Sequence, residues 1–442
     1  MKRTKIRNLQ IAFCAALLFV APLFVATAAI AHDYVPGAVQ KSPILLKGGD
    51  LYTVSGDILR KTDLLFENGR ITQIGRNIAA PSGSEKIDVS GKRVYPGLIL
   101  VHSTLGLTEV GAVRATRDMS EVGDITPEVS AHIAYNPDSE IIPTIRSNGI
   151  TTAQVAPNGN IISGRSCLIN LDGWTKEDAS EKMYSAMHVN WPSSSVITAW
   201  WMDKTAEEQK KENAKKLKRL HDVFEDARAY YMARQANREI KEDLRWEAML
   251  PVFSKEMPVF VEANDYRQIK QAIKFAEDFD LKMVITGGDE AWKLASSLKK
   301  AKISVALGFV QATPRYEDDD YDLAYRLPKL LSDAGVKFCL TGGGRSWYTR
   351  NLPFQAGQAV AFGLSKAEAL RSVTLSAAEI LGVEADLGSL EVGKKATLVV
   401  SDGDILDQLT NKVVYEFIEG RKVDLNNRHK ELYAKYKEKN IQ

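Results

Sequence analysis

The chain has 442 residues, 45% of them apolar and 26% charged, and a formal charge of +2. This is an ordinary globular composition, which excludes a disordered or collagen-like chain. The length suits one large barrel plus a small additional domain.

The N-terminus reads as separate from the fold. Lys2, Arg3, Lys5 and Arg7 precede an apolar stretch from about Leu9 to Ala28, and Ala29-Ile30-Ala31 supplies the small residues of a cleavage site. The pattern predicts a signal peptide over 1–31, cut near Ala31, and a periplasmic or secreted mature protein. The rival is an uncleaved anchor, since the apolar stretch is at the lower limit for a span; the Ala-x-Ala site favours cleavage and no stable membrane insertion. Cys14 lies too early for a lipoprotein site. Removing residues 1–31 takes away four basic residues and no acidic ones, so the charge goes from +2 to −2. Such a near-neutral surface gives no footing for nucleic acid as a partner. Cys167 and Cys339 remain, far apart in sequence, and read as buried free thiols.

Residues 32–95 alternate apolar and polar positions and are broken by Gly-Gly, Ser-Gly and Asn-Gly, which are hairpin signals. Residues 385–425 repeat the strand–turn–strand pattern, and 426–442 read as a surface helix. Both ends together predict one small composite β-sandwich. Over 96–384, apolar strand candidates alternate with helical segments: Leu98–Val101, Thr151–Ala156, Cys167–Leu171, Met187–Asn190, Val259–Ala263, Met283–Thr286, Ser304–Leu307 and Lys337–Thr341. Eight such strands predict an α/β fold, a (β/α)8 TIM-type barrel. The third and fourth could instead be extra strands of an inserted segment. The Lys/Glu-rich stretch 205–253 has Leu217, Leu220, Val223 and Phe224 at helical spacing, so it reads as an amphipathic helix with a solvated face.

Three segments carry a resemblance: "VYPGLILVH", the upstream "LLFENGRITQIGRNI" and the downstream "GSLEVGKKATLVVSDGD". Together they resemble the amidohydrolase superfamily, and within it the imidazolonepropionase-like branch. The resemblance implies a hydrolase acting on C–N bonds, with a divalent metal such as zinc held at the C-terminal ends of the barrel strands. Such a metal polarises an amide carbonyl and lowers the pKa of a bound water.

The family's ligand positions can be followed one at a time. The first strand usually reads Pro-Gly-Leu-Ile-Asp-x-His-x-His; here His102 is kept, with Leu100 and Thr104 at the aspartate and second-histidine positions. Glu262 stands where strand 5 has a histidine, and Gly287 where strand 6 has one, with Asp289 and Glu290 just beyond. Gly342 or Gly343 stands where strand 8 has its aspartate. The resemblance thus implies a degenerate ligand set: His102 and Glu262 as metal ligands, and His102, Glu262 and Asp289 as catalytic residues. His132 sits in the long loop after strand 1, His188 at a strand end and Arg345 beside three glycines, and all three are candidate substrate-binding residues. The glycines with Arg345 read equally as an anion-binding nest or as a tight turn. "APNGNIISGRS" lacks the Lys-Ser/Thr pairing of a phosphate-binding loop. His221 and His429, on charged helices, read as solvated.

Two functions follow. One is an exported amidohydrolase cleaving a C–N bond of a cyclic amide or dipeptide-like small molecule. The other is a non-catalytic member, a ligand-binding protein or the structural partner of an active paralogue. A homo-oligomer, or a hetero-oligomer with a related amidohydrolase, is compatible with either.

Overall fold

The computed structural model describes residues 35–159, 161–343 and 346–439. The expected signal peptide and Arg345 lie outside the described residues. No helix among the described residues is long and apolar enough to cross a membrane.

Sixteen strands form two sheets among the described residues. The first sheet joins β1 (Ile44–Tyr52), β2 (Ile58–Glu67), β3 (Arg70–Gly75), β4 (Glu85–Asp88) and β5 (Arg93–Pro96) from the front of the chain. The barrel sheet holds β6 (Leu98–Ser103), β7 (Ile150–Val155), β8 (Ile162–Asn170), β9 (Ser180–Asn190), β10 (Val259–Ala263), β11 (Met283–Gly287), β12 (Ser304–Leu307) and β13 (Phe338–Leu340). The chain then returns to the first sheet with β14 (Leu398–Ser401), β15 (Val413–Ile418) and β16 (Arg421–Lys422).

The two chain ends meet where β5 pairs antiparallel with β14, Tyr95 opposite Val399. The sheet runs β16-β15-β14-β5-β1-β2-β3, with β4 beside β1. It bends around a core of Leu46, Leu64, Phe66, Val94, Leu398 and Phe417, to which both ends contribute. Gly97 links this sheet to the barrel. A Cβ there would lie 2.1 Å from Thr151 Oγ1, so only glycine allows the close approach.

All eight expected barrel strands are present, in sequential order from β6 to β13. A parallel bridge from Val101 to Thr341 brings the last strand back to the first. β8 differs from the (β/α)8 pattern: it runs antiparallel to both β7 and β9. The cause is the length of its connections. Six residues separate β7 from β8 and nine separate β8 from β9, whereas a parallel crossover needs a dozen or more.

Ile99, Leu168, Ala186, Phe260, Val284, Ala306 and Cys339 form an apolar layer inside the barrel, and the helix Leu375–Leu381 packs Ala377, Ala378, Ile380 and Leu381 against it. The barrel is therefore a filled core rather than a pore. Both cysteines are buried and unpaired. The helix Ala206–Gln235 opens with a Thr205–Glu208 capping box and buries Leu220, Val223, Phe224 and Ala227. His221 is a correction: it is half-buried and meets the Phe275 ring edge-on at 4.9 Å, because it lies next to that apolar stripe. The helix Arg428–Lys439 buries nothing and lies on the surface.

A buried ionic cluster ties the chain ends to the barrel. Asp172 accepts from the Gly37 N–H at 3.1 Å and pairs with Arg146 at 3.3 Å and Arg421 at 3.4 Å. Arg146 also donates to the carbonyl of Asp424 at 2.7 Å. Glu416 is fully buried beside them, with both carboxyl oxygens unpartnered. Burial raises its pKa well above the carboxylate range, against the pull of the Arg146 charge. A folded-state pKa above the unfolded one favours folding below the unfolded pKa, and that contribution is lost as pH rises toward the folded one. Glu416→Gln is therefore expected to unfold at a higher temperature than the parent above neutral pH, with a flatter dependence of Tm on pH. A melting series from pH 5 to 9 checks this.

Candidate active site

The C-terminal ends of the barrel strands surround a cleft of about 300 Å3, lined by His102, Thr104, Asn158, Glu262, Asn264 and Asp289 among others. This is the face on which barrels of this type place their chemistry.

His102 is brought into the cleft by an irregularity in β6. Strict alternation would turn it away from the interior that Ile99 and Val101 face. The pairing with β7 shifts between Leu100 and Ser103, and His102 takes a left-handed φ of 55°, unusual for a non-glycine residue. Its N–H donates to Gln154 Oε1 at 3.1 Å, which fixes the bulge. Gln154 is buried in turn and donates to Ser166 Oγ at 3.1 Å. The His102 ring then stacks on His188 at 5.4 Å, with 7° between the planes.

Burial lowers the His102 pKa to about 4, so the ring is neutral at neutral pH. His188 is pushed well down by burial and then by the His102 charge. It is buried, with Nε2 unpartnered, and also meets the Phe260 ring at 5.5 Å. His188 thus supports His102 from below and is not part of the cleft lining.

Glu262 projects from β10 and keeps its exposed surface toward the cleft. Its pKa is raised, first by desolvation and then by the negative charge of Asp289. The Asp289 carboxylate is engaged by Arg315 Nη1 at 2.6 Å. Glu290 is used structurally: it accepts from the Tyr266 N–H and pairs with Lys293, each at 2.5 Å. Of these three carboxyls, Glu262 is therefore the one left to act on a bound molecule.

The structure brings His102, Glu262 and Asp289 to one cleft and sets His132 elsewhere. His132 is 2% exposed on the short helix Ala131–Ala134, which packs against β8, and it does not line the cleft. Sequence reasoning missed Asn158, Asn264 and Arg315. Asn264 lies two residues beyond Glu262, a spacing that returns to the same strand face, so it was detectable. Nothing local in the sequence marks Arg315.

Members of the superfamily commonly use divalent metals. The donor set here does not fit such a centre. Among the described residues no three His, Cys, Asp or Glu side chains converge. Two positions where the resemblance implies further ligands hold glycines with a close neighbour. A Cβ at Gly287 would lie 2.0 Å from Asn264 Oδ1, and one at Gly342 would lie 2.2 Å from Thr349 Cγ2. Gly287 has a φ of 84° besides. Gly287→His is therefore expected to lower Tm and to gain no zinc affinity; calorimetric zinc titration with a parallel melt checks both.

The Amidohydrolase family pattern matches residues 326–425. The chain is 23% identical over 380 residues to the amidohydrolase TasK of Hapsidospora irregularis, a match covering 78% of this chain and 38% of that protein. It is 44% identical over 59 residues to a dihydroorotase of Geobacter metallireducens, covering 13% of this chain and 14% of that one. The chain thus matches well under half the length of either curated relative. In structure it is similar to an amidohydrolase from Thermotoga maritima MSB8, with a TM-score of 0.76 and 26% identity, covering 86% of this chain and 99% of that one. The barrel, the composite second sheet and the cleft at the strand C-termini, together with these matches, make the chain similar to members of the amidohydrolase superfamily.

Proposed function

We propose that the protein is an exported hydrolase that cleaves a C–N bond in a small cyclic amide or dipeptide-like compound, with Glu262 as its acid–base residue. The observation that carries this is the Glu262 carboxyl, raised by burial and by Asp289 and facing the cleft. A general acid or base works best with a pKa near the operating pH, and an upward shift of a carboxyl is in that direction.

In this reading Glu262, ionised, takes a proton from the attacking water as its oxygen bonds to the amide carbon. The same carboxyl then delivers that proton to the departing nitrogen as the C–N bond breaks. Neutral His102 and the amides of Asn158 and Asn264 offer hydrogen bonds to the carbonyl oxygen and the nitrogen. No step is assigned to a metal. Export rests on the basic and apolar N-terminal pattern, and the substrate class on the resemblance to enzymes of cyclic amides.

The non-catalytic reading has one specific observation in its favour: glycines occupy the family's strand 6 and strand 8 ligand positions, with no room for a side chain. As a ligand-binding protein or as the partner of an active paralogue, the chain would bind but not turn over. The test is amine release from a panel of cyclic amides and dipeptides by the purified mature protein. Turnover supports the hydrolase. Binding without turnover, or co-purification of a related chain with a complete ligand set, supports the second reading.

A further inference from the structure

A chamber of about 130 Å3 lies where the composite sheet meets the barrel, and it shares no residue with the cleft. An apolar cavity of roughly 150 Å3 is large enough to hold benzene. Close-packed interiors keep few such spaces.

Strand alternation builds the chamber. Leu51 and Val94 face the core of the composite sheet, so Tyr52 and Tyr95 beside them face the other way, toward the core of the barrel. Their rings meet at 4.6 Å, with 30° between the planes. Ile58, Leu406 and Leu370, the last from the helix Lys366–Ser372, add to an apolar wall.

Two features of the wall point to a ligand. Tyr95 is 1% exposed, and its hydroxyl makes no hydrogen bond among the described residues. The Arg93 guanidinium is a near neighbour but is not in hydrogen-bonding geometry, and it pairs with Asp404 at 3.4 Å. A buried hydroxyl without a partner is costly, and a bound oxygen would supply one. The second feature is Val54, in the turn between β1 and β2, whose φ of 69° is left-handed and an outlier for a β-branched residue. Strain of this kind collects where chains clamp ligands.

The charged groups at the chamber are engaged with one another, since Asp404 also pairs with Lys366. An apolar wall with one placed polar group suits an uncharged molecule, and such sites favour the joints between structural units. We propose that this chamber binds an uncharged single-ring compound bearing one oxygen, with the Tyr95 hydroxyl as the hydrogen-bonding partner of that oxygen. The site is separate from the cleft and stands whether or not the cleft is catalytic.

The test is titration calorimetry of the purified protein with phenol, toluene and benzoate. Phenol is expected to bind at one molecule per chain, at least as tightly as toluene. Benzoate should bind more weakly than phenol, because its carboxylate would have to be desolvated against the apolar wall. In Tyr95→Phe, phenol affinity should fall by about fivefold or more, since its hydroxyl is left unpaired, while toluene affinity stays within about twofold. Ala367→Phe, on the exposed first turn of the helix Lys366–Ser372, fills the chamber from its rim and should abolish binding of both. Phenol affinity unchanged in both variants, or no binding of phenol by the parent, would overturn the site. Tighter binding of toluene than of phenol by the parent would overturn the role of Tyr95, and tighter binding of benzoate would overturn the uncharged ligand class.

Discussion

Glu262→Gln is expected to reduce kcat for amide cleavage by roughly 10²–10⁴-fold, the usual contribution of a positioned acid–base group, while ligand affinity changes little. Glutamine keeps the shape and loses the charge and the ability to exchange a proton. The parent protein should also show a pH limb. Attack requires the ionised form, so kcat/KM should rise with pH through the Glu262 pKa, which lies above the ordinary glutamate value because of burial and the Asp289 charge. Asp289→Asn removes that charge, and the limb should then move to lower pH. Rate profiles of the parent and both variants check the assignment. Parental kcat in the Glu262→Gln variant would refute it.

Asp172→Ala is expected to destabilise the fold by about 3–5 kcal/mol, the cost of removing one partner of a buried ion pair. Arg146 is fully buried, and Arg421 depends on the same carboxylate. The loss would fall on the joint between barrel and composite sheet, since Gly37, Arg146, Asp172 and Arg421 come from the front, middle and end of the chain. Urea unfolding followed by tryptophan fluorescence measures it. Arg60→Ala, which removes an exposed ion pair to Asp50, is the control and should leave the midpoint almost unchanged.

Much of this architecture is legible in the residues. The strands from Val259 onward are short apolar runs separated by well-patterned helices, and each run has a single plausible role. The pairing of chain ends follows from hairpin signals at both ends and from the family resemblance. The direction of β8 was not legible as a pattern, because an apolar run reads the same whichever way the strand points; it followed from connection length. Within the site, Thr104, Glu262, Gly287 and Gly342 are read directly from the sequence at the positions where the resemblance implies ligands. The stack of His102 on His188 is not, because it depends on a left-handed residue and a register shift that ordinary alternation does not anticipate. Nor is the pairing of Asp289 with Arg315, 26 residues away on a different loop.

The central claim is that the cleft works through Glu262 and not through the family's metal centre. The most direct measurement is elemental analysis of the mature protein after exposure to zinc and after chelation, with cyclic-amide turnover measured on the same samples. The account predicts less than one tightly held metal per chain and equal turnover in both samples. Stoichiometric zinc lost in His102→Ala, with turnover abolished by chelation and restored by zinc, would contradict it.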